Sequence, residues 1–326
     1  MSRPLLVVSV ILALYTLTST LVAGLVALAW HAGVADLGHP AAAARANRLL
    51  MLRLLPAGSA LLLTLGLLLP AYLAFEPPTS FEHVGPLLGC LAAAGVFIAL
   101  RTIAKAALAM AATRRLERKW LRAAAPLVVN PPLAVPAFAI ESGAPLVALV
   151  GVWRPQLVAA HSVVKACGHD ELTAIVRHEM GHLRARDNLK RLVFACAPDL
   201  LGLSRVHGGM TTAWHHAAED AADDAATLGD TRARLELAEL LVKVAHLQPV
   251  HAWGAAVVSP LVDADELDRR VRRLLQDDPQ PGPSVWSHAI PGVTVALAAS
   301  AGLCLTSPAV LRVLHAGVEV LVAAGR

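Results

Sequence analysis

The stretch that decides the fold is AIVRHEMGHLRARDN, residues 174–188. It holds two histidines four positions apart, His178 and His182, and Glu179 directly follows the first of them. Apolar side chains recur through the stretch at helical spacing, so we expect a helix. A helix places the two histidines one turn apart on the same face. Their imidazoles can therefore bind one metal ion from the same side.

This spacing suits a hydrolytic zinc site. Such a site has three protein ligands and keeps one position open to water. His178 and His182 supply two ligands, and Glu179 is placed as the general base that takes a proton from the attacking water and passes it to the leaving amine. The pattern alone arises by chance with a probability on the order of a few per cent in a chain of this kind, so its context must support it.

A second helix downstream offers the third ligand. AWHHAAEDAADDAATL is predicted to form an Ala-rich helix after a Gly-rich break at 208–209. Glu219 is the predicted ligand, and Asp223 lies one turn further on, where its carboxylate can hydrogen-bond a ligand histidine. The alternative interpretation of both acids is a solvated helix face.

The group that would stabilise a developing oxyanion is left open by the sequence. The two tyrosines, Tyr15 and Tyr72, fall in apolar segments, so another donor is needed. His215, His216 and an arginine are the candidates. The two histidines lie one turn before Glu219 and are also rival metal ligands, although we expect them to line the cleft or face water.

Composition indicates a membrane protein. The chain has 326 residues, of which 56% are hydrophobic and 16% charged, and its mean hydropathy is +0.58. These values exclude an ordinary soluble domain. The four cysteines indicate neither a disulfide framework nor a Cys-type zinc site. Uncharged apolar runs that approach or exceed the length of a membrane span lie at 4–30, 54–75, 84–100 and 289–311.

Basic residues orient these spans. The connection after the first span carries Arg45, Arg48 and Arg53, and the one after the third opens with a basic run that extends from Arg101 to Arg122. By the positive-inside rule both connections are cytoplasmic, so the N-terminus is outside. A nucleic-acid patch is the alternative for the basic run, but such clusters beside a span more often contact anionic lipid.

The predicted fold is therefore a polytopic α-helical membrane protein with about four spans and a cytoplasmic α+β zincin-like metallopeptidase domain. Residues 126–160 are predicted to form a small sheet or hairpins, and a helix is predicted to follow, with Asp170 as its N-cap. Further helices are predicted at 189–203, 231–248 and 263–276. The predicted organisation is a membrane region at 1–100, the domain at 101–276, a Pro-rich linker at 277–288, the fourth span at 289–311 and a short tail at 312–326.

The motifs resemble those of the M56 metallopeptidases, the family of the BlaR1/MecR1-type antibiotic-sensing receptors. The similarity lies in HEMGH at 178–182, the exit RDN at 186–188, the later Glu-x-x-x-Asp and GVWRPQLV at 151–158. It implies one Zn²⁺ per chain bound by His178, His182 and Glu219. It also implies that Glu179 is the catalytic acid/base and that Asp223 supports a ligand histidine from outside the metal ligands.

The resemblance also implies a location and partners. These are the bacterial cytoplasmic membrane, self-cleavage, and cleavage of a cytoplasmic regulatory protein such as a DNA-binding repressor. Direct contact between this chain and nucleic acid is not expected, because the basic residues are better explained as topology signals beside the apolar spans. The receptors' penicillin-binding domain has no counterpart after the fourth predicted span, so β-lactam sensing is not expected. A substrate is expected to bind in extended form at a strand edge within 134–159.

Two other functions are compatible with the sequence. One is a membrane-protein quality-control protease similar to family M48, which shares His-Glu-x-x-His and the later Glu-x-x-x-Asp but usually has two spans before the motif. The other is a non-catalytic membrane signalling protein in which the metal only stabilises the domain. Glu179→Gln separates these classes, because only a peptidase depends on that carboxylate for its activity.

Overall fold

The computed structural model describes residues 3–37, 41–75, 85–129, 132–142, 146–198, 204–247 and 264–276, with seven further positions between 309 and 320. Apart from one residue, the predicted fourth span lies outside these ranges, and so does the linker at 277–288. The helices are α1 (Arg3–His31), α2 (Ala42–Leu63), α3 (Leu69–Phe75), α4 (Pro86–Leu121), α5 (His161–Ala166), α6 (His169–Ala185), α7 (Asp187–Cys196), α8 (Ser204–Thr227), α9 (Thr231–His246) and α10 (Ala264–Leu275). The strands are β1 (Ala125–Pro126), β2 (Ala137–Ile140), β3 (Val147–Val150) and β4 (Gln156–Ala160).

Within the described residues, three helical segments are long and apolar enough to cross a membrane. They are Leu5–His31, Ala42–Phe75 and Pro86–Leu121. The second consists of α2, a π-helical turn at Thr64–Leu68 and α3. The third continues without a break past residue 100, where the membrane region was predicted to end. The existence of three apolar helices agrees with the first three predicted spans, and the predicted domain boundary stays a prediction.

Helices α1 and α4 approach each other closely at Gly95. A Cβ atom added at Gly95 would lie 2.9 Å from the backbone oxygen of Leu12, so a larger residue would push the helices apart. Small residues at such crossings allow membrane helices to pack backbone to backbone. Large apolar side chains on the outer face of α1, such as Leu25 and Leu28, are exposed as expected for contact with lipid.

The elements β1–β4 and α5–α10, here called the motif domain, include the small sheet predicted at 126–160. The strand order is β1-β2-β4-β3, with β2 parallel to β4 and the other two pairs antiparallel. Every residue of β3 is buried, and its side chains join a core with α6 and α9. The sheet thus supports α6, the helix that carries both histidines.

Gly181 explains how closely the helices around the histidines pack. A Cβ atom there would lie 3.0 Å from the Cα atom of Ala222 on α8. Because Gly181 lies between His178 and His182, the close approach brings α8 beside the histidine face of α6. The glycine inside the motif therefore has a packing role.

The predicted break at 208–209 is wrong. Helix α8 begins at Ser204 and passes through Gly208 and Gly209. A Cβ atom at Gly209 would lie 3.3 Å from the ring of Trp30 at the end of α1. Here glycine allows a helix to pack against an aromatic ring, whereas the sequence pattern suggested a turn.

The helix boundaries around the motif also differ from the prediction. The N-cap of α6 is Gly168, and its N–H donates to Glu171 Oε2 at 2.7 Å, so the prediction of Asp170 as N-cap is wrong. Helix α7 begins at Asp187, two residues earlier than predicted, because Arg186 adopts a left-handed conformation (φ 55°) that separates it from α6. The predicted helices that became α9 and α10 are confirmed.

The first part of α2 packs against the motif domain. Leu49 of α2 is fully buried in a cluster with Phe194 of α7 and Trp214 of α8. Arg53 donates to the backbone oxygen of Ala197 at 2.7 Å, just after α7. The arginines that orient the predicted spans thus also contact protein, and α2 joins the apolar helices directly to α7 and α8.

The chain returns to the far end of the apolar helices. His315 contacts the rings of Tyr72 and Phe75, with centroid distances of 6.2 Å and 5.7 Å. These two aromatic residues lie at the end of α3, away from the motif domain.

Candidate metal centre

Helices α6 and α8 bring three predicted ligands together. The Nε2 atoms of His178 and His182 lie 3.1 Å apart. Glu219 Oε2 lies 3.5 Å from His178 Nε2, and Glu219 Oε1 lies 3.5 Å from His182 Nε2. All three side chains are buried. The structure thus places the three side chains around one point.

These separations fit a tetrahedral zinc site. Zinc bonds of about 2.0–2.1 Å in a tetrahedron place neighbouring ligand atoms roughly 3.3 Å apart. His182 Nδ1 is hydrogen-bonded to Asp187 Oδ2 at 2.8 Å, and His178 Nδ1 lies 2.9 Å from Asp223 Oδ1. A carboxylate at Nδ1 favours the tautomer that leaves a lone pair on Nε2. Two such lone pairs facing each other repel unless a cation or proton lies between them, so the donor set fits a metal ion.

The charges of the cluster also favour a cation. Burial opposes a positive charge on His182, but Glu219 and Asp187 outweigh this effect and raise its pKa to about 10. The pKa of His178 is raised in the same way, because Asp223 and Glu219 outweigh burial. Conversely, positive neighbours, above all Arg270, overcome burial and lower the pKa of Asp223 to about 2. The carboxylates are therefore ionised, and in the absence of metal they hold protons on the histidines.

Glu179 lies beside these groups without a hydrogen-bond partner of its own. Its side chain is 1% exposed, and among the described residues neither carboxylate oxygen is hydrogen-bonded. Burial raises its pKa against the opposing effect of His182 and His178. A buried carboxyl group usually has a partner, so this one is suited to a water molecule or a substrate.

The role of Asp187 was missed in the sequence analysis. It begins α7, where the left-handed Arg186 turns the chain back towards His182. Its neighbour Asn188 donates to the backbone oxygens of Leu149 and Gly151, which fixes α7 to the edge of β3. The signal in the sequence is the acid-amide pair Asp187-Asn188 directly after the motif, to which the sequence pattern assigned no function. One of these oxygens belongs to the strand edge at which a substrate was expected, so Asn188 already uses part of that edge.

Arg270 was also missed. It is 2% exposed, and its guanidinium contacts both Asp223 oxygens at 2.6 Å and 2.9 Å and Glu219 Oε2 at 3.1 Å. Helix α10 forms further ion pairs with α8, including Arg269–Asp220 at 2.6 Å and Arg273–Asp224 at 2.8 Å. The available signal was charge complementarity between the arginines of α10 and the acids of α8.

The rival histidines lie outside the group of three ligands. His216 Nε2 lies 3.0 Å from Glu266 Oε1, at the start of α10. Burial and the nearby charge of Arg191 lower the pKa of His215 to about 4, so this side chain is neutral at physiological pH. Neither histidine belongs to the candidate metal group formed by His178, His182 and Glu219.

Comparison with known proteins points to one family. The model of Peptidase family M48 matches residues 110–252, which include the two motif histidines, Glu179, Glu219 and Asp223. No curated protein and no solved structure matches the chain. The narrower resemblance to family M56 is not confirmed by these comparisons. M48 peptidases are zinc-dependent, and the candidate site is compatible with that metal. Together, the family match and the three apolar helices support a membrane-associated, zincin-like metallopeptidase.

Proposed function

We propose that the protein is a membrane zinc endopeptidase that binds one Zn²⁺ per chain through His178, His182 and Glu219. One observation carries the proposal: the two Nε2 atoms lie 3.1 Å apart, each lies 3.5 Å from one oxygen of Glu219, and a buried carboxylate lies at the far side of each imidazole. The family match supports the same chemistry.

In this proposal Glu179 is the catalytic acid/base. Zinc held at this site supplies Lewis acidity, which polarises the peptide carbonyl and lowers the pKa of a water molecule. Glu179 takes a proton from the attacking water and delivers it to the leaving amine. Its pKa, which burial raises, suits both steps, because such a carboxylate accepts a proton from water more readily than an ordinary one and can still release it.

The neighbouring charged groups orient the ligands. Asp187 accepts from His182 Nδ1, and Asp223 Oδ1 lies 2.9 Å from His178 Nδ1, so each carboxylate favours the ring orientation that directs Nε2 towards Glu219. Arg270 contacts Glu219 and Asp223 together, which fixes the ligand carboxylate relative to its helix.

Two substrate classes follow from the comparisons and the sequence. The M48 match favours membrane-protein quality control, with damaged membrane proteins as substrates. The RDN exit and the three apolar helices before the motif favour the M56-type role, which is cleavage of a cytoplasmic regulatory protein and of the chain itself. In both cases we expect the motif domain to face the cytoplasm.

The test uses the full chain in detergent, as wild type, Glu179→Gln and the surface control Glu236→Gln. We expect one zinc per chain in all three, and cleavage of casein or self-cleavage only in wild type and the control. Zinc in all three proteins with equal proteolysis by Glu179→Gln would contradict the catalytic role. Zinc without cleavage in any of them would favour the non-catalytic signalling function.

The substrate classes are separated by the proteins that accumulate with inactive Glu179→Gln in cells. Enrichment of many misassembled membrane proteins supports quality control. Enrichment of one soluble DNA-binding protein, together with self-cleavage by wild type, supports the regulatory role.

A further inference from the structure

The metal centre has a second buried arginine, Arg191, that forms no hydrogen bond within the described structure. It lies on α7, one turn after Asp187, and is 6% exposed. Its Nε and Nη1 atoms are buried and donate to no described residue. Arg270, by contrast, forms paired contacts with two carboxylates. A buried guanidinium with free donors is costly, so its presence calls for a partner that binds there.

The charges around Arg191 place it beside the metal ligands. Burial lowers the pKa of Arg191, and the carboxylates of Glu219, Asp187 and Glu179, in that order, oppose this effect. These three acids are the third ligand, the support of His182 and the predicted acid/base. Asp187, one turn before Arg191 on α7, is hydrogen-bonded to His182 at 2.8 Å, so Arg191 lies near the groups that would surround the scissile peptide bond.

The other candidate donors are less suited to stabilise an oxyanion. Tyr72 is buried among the apolar helices, in a cluster with Leu6 and Leu88. His216 is engaged with Glu266. His215 lies one turn before Glu219 and is neutral, partly because Arg191 is charged. Arg191 is the remaining candidate that combines permanent charge with free donors.

We propose that Arg191 is a catalytic residue that donates hydrogen bonds from its guanidinium to the substrate carbonyl oxygen as negative charge develops there. This inference rests on the proposed function. A guanidinium presents donors in a fixed fork, and donors that are already oriented in a buried site stabilise developing charge strongly. No proton leaves Arg191, because a guanidinium stays charged throughout.

The alternative is that Arg191 only balances the charge of Glu219 and Asp187. In that case a lysine would replace it well, and its loss would act through weaker zinc binding. An oxyanion donor instead requires the paired N–H groups of the guanidinium, which lysine lacks, and its loss should leave zinc binding nearly unchanged. If Arg191 only balances charge, its variants should bind zinc more weakly. If it is an oxyanion donor, its variants should keep zinc but bind an anionic transition-state analogue more weakly.

The experiment compares zinc-loaded wild type with Arg191→Lys and Arg191→Gln, and with the exposed control Arg232→Gln. Zinc content and thermal unfolding establish that each variant is folded and loaded. Calorimetry then measures two peptide inhibitors of the same sequence. One is a phosphonamidate with a tetrahedral anionic centre, and the other is a thiol that ligates zinc without such a centre.

We expect Arg191→Gln to weaken phosphonamidate binding about 100-fold and thiol binding less than about threefold. On a casein peptide it should lower kcat by a similar factor with little change in KM. Arg191→Lys should be partly impaired in both measurements, and Arg232→Gln should match wild type. Equal weakening of both inhibitors, loss of zinc, or full function of either Arg191 variant would overturn the assignment.

The inhibitor measurements keep this inference separate from the proposed function. If wild type cleaves no peptide but its phosphonamidate affinity depends on Arg191, the peptidase proposal fails while the binding role of Arg191 stands. If wild type and Arg191→Gln cleave equally well, only the assignment of Arg191 fails.

Discussion

His182 donates from Nδ1 to the carboxylate of Asp187 at 2.8 Å, although the two residues belong to different helices. The left-handed Arg186 between those helices makes the contact possible. Outer partners of ligand histidines typically contribute a factor of 10 to 100 in metal affinity. We therefore expect Asp187→Asn to bind zinc about 10- to 100-fold more weakly, as measured by competition with a chromophoric chelator. Asp268→Asn, at an exposed position, should leave the affinity unchanged, and an unchanged affinity in Asp187→Asn would contradict the role of this pair.

Arg270 balances two buried carboxylates, so its removal should be strongly destabilising. Arg270→Gln leaves Asp223 and Glu219 without their cation, and the loss of one partner from a buried ion pair costs about 3–5 kcal/mol. The free energy of unfolding in urea measures this loss. Arg272→Gln is the matched control, because Arg272 lies on the same helix with its side chain 72% exposed. A similar small effect in both variants would show that Arg270 does not support the site.

Zinc binding should release protons at pH 7. The pKa of His182 is raised to about 10, so without metal its imidazole is protonated at pH 7, and the raised pKa of His178 favours protonation there in the same direction. Zinc requires neutral imidazoles, so its binding displaces these protons and its affinity rises with pH. The release should decrease as pH rises towards the pKa of His182. Calorimetric titration of the stripped protein in buffers of different ionisation enthalpy measures the number released, and a heat that is independent of the buffer would contradict the prediction.

Gly181 and Gly208 should respond in opposite ways to alanine. At Gly181 the new Cβ atom would lie 3.0 Å from the Cα atom of Ala222, so Gly181→Ala should separate α6 from α8 and lower both stability and zinc affinity. At Gly208 no atom lies within 4 Å of the added Cβ atom, so Gly208→Ala should stabilise α8 by about 0.5–1 kcal/mol. Thermal unfolding with and without zinc measures both effects. Equal destabilisation by the two variants would argue against the close approach at Gly181.

The sequence predicted the parts of the site that depend on local spacing. Residues four apart on one helix share a face, which was enough for His178 and His182, and the same rule related Glu219 to Asp223. Local rules could not show that α10 packs against the acids of α8, so the contact of Arg270 with Glu219 and Asp223 was missed. Gly209 was misinterpreted for the same reason, because its significance depends on Trp30, a residue far away in the chain. The left-handed Arg186 was unexpected as well, since arginine rarely adopts that conformation.

Helix α2 has one further consequence for the choice of cleavage sites. It belongs to an apolar segment long enough to cross a membrane, and its first part also packs on α7 and α8, which carry Asp187 and Glu219. In a bilayer, this continuous segment would hold the metal centre at a constant height above the lipid surface. If the protein is the endopeptidase proposed above, it would then cut a membrane-anchored substrate at a set number of residues from the point where that substrate leaves the lipid.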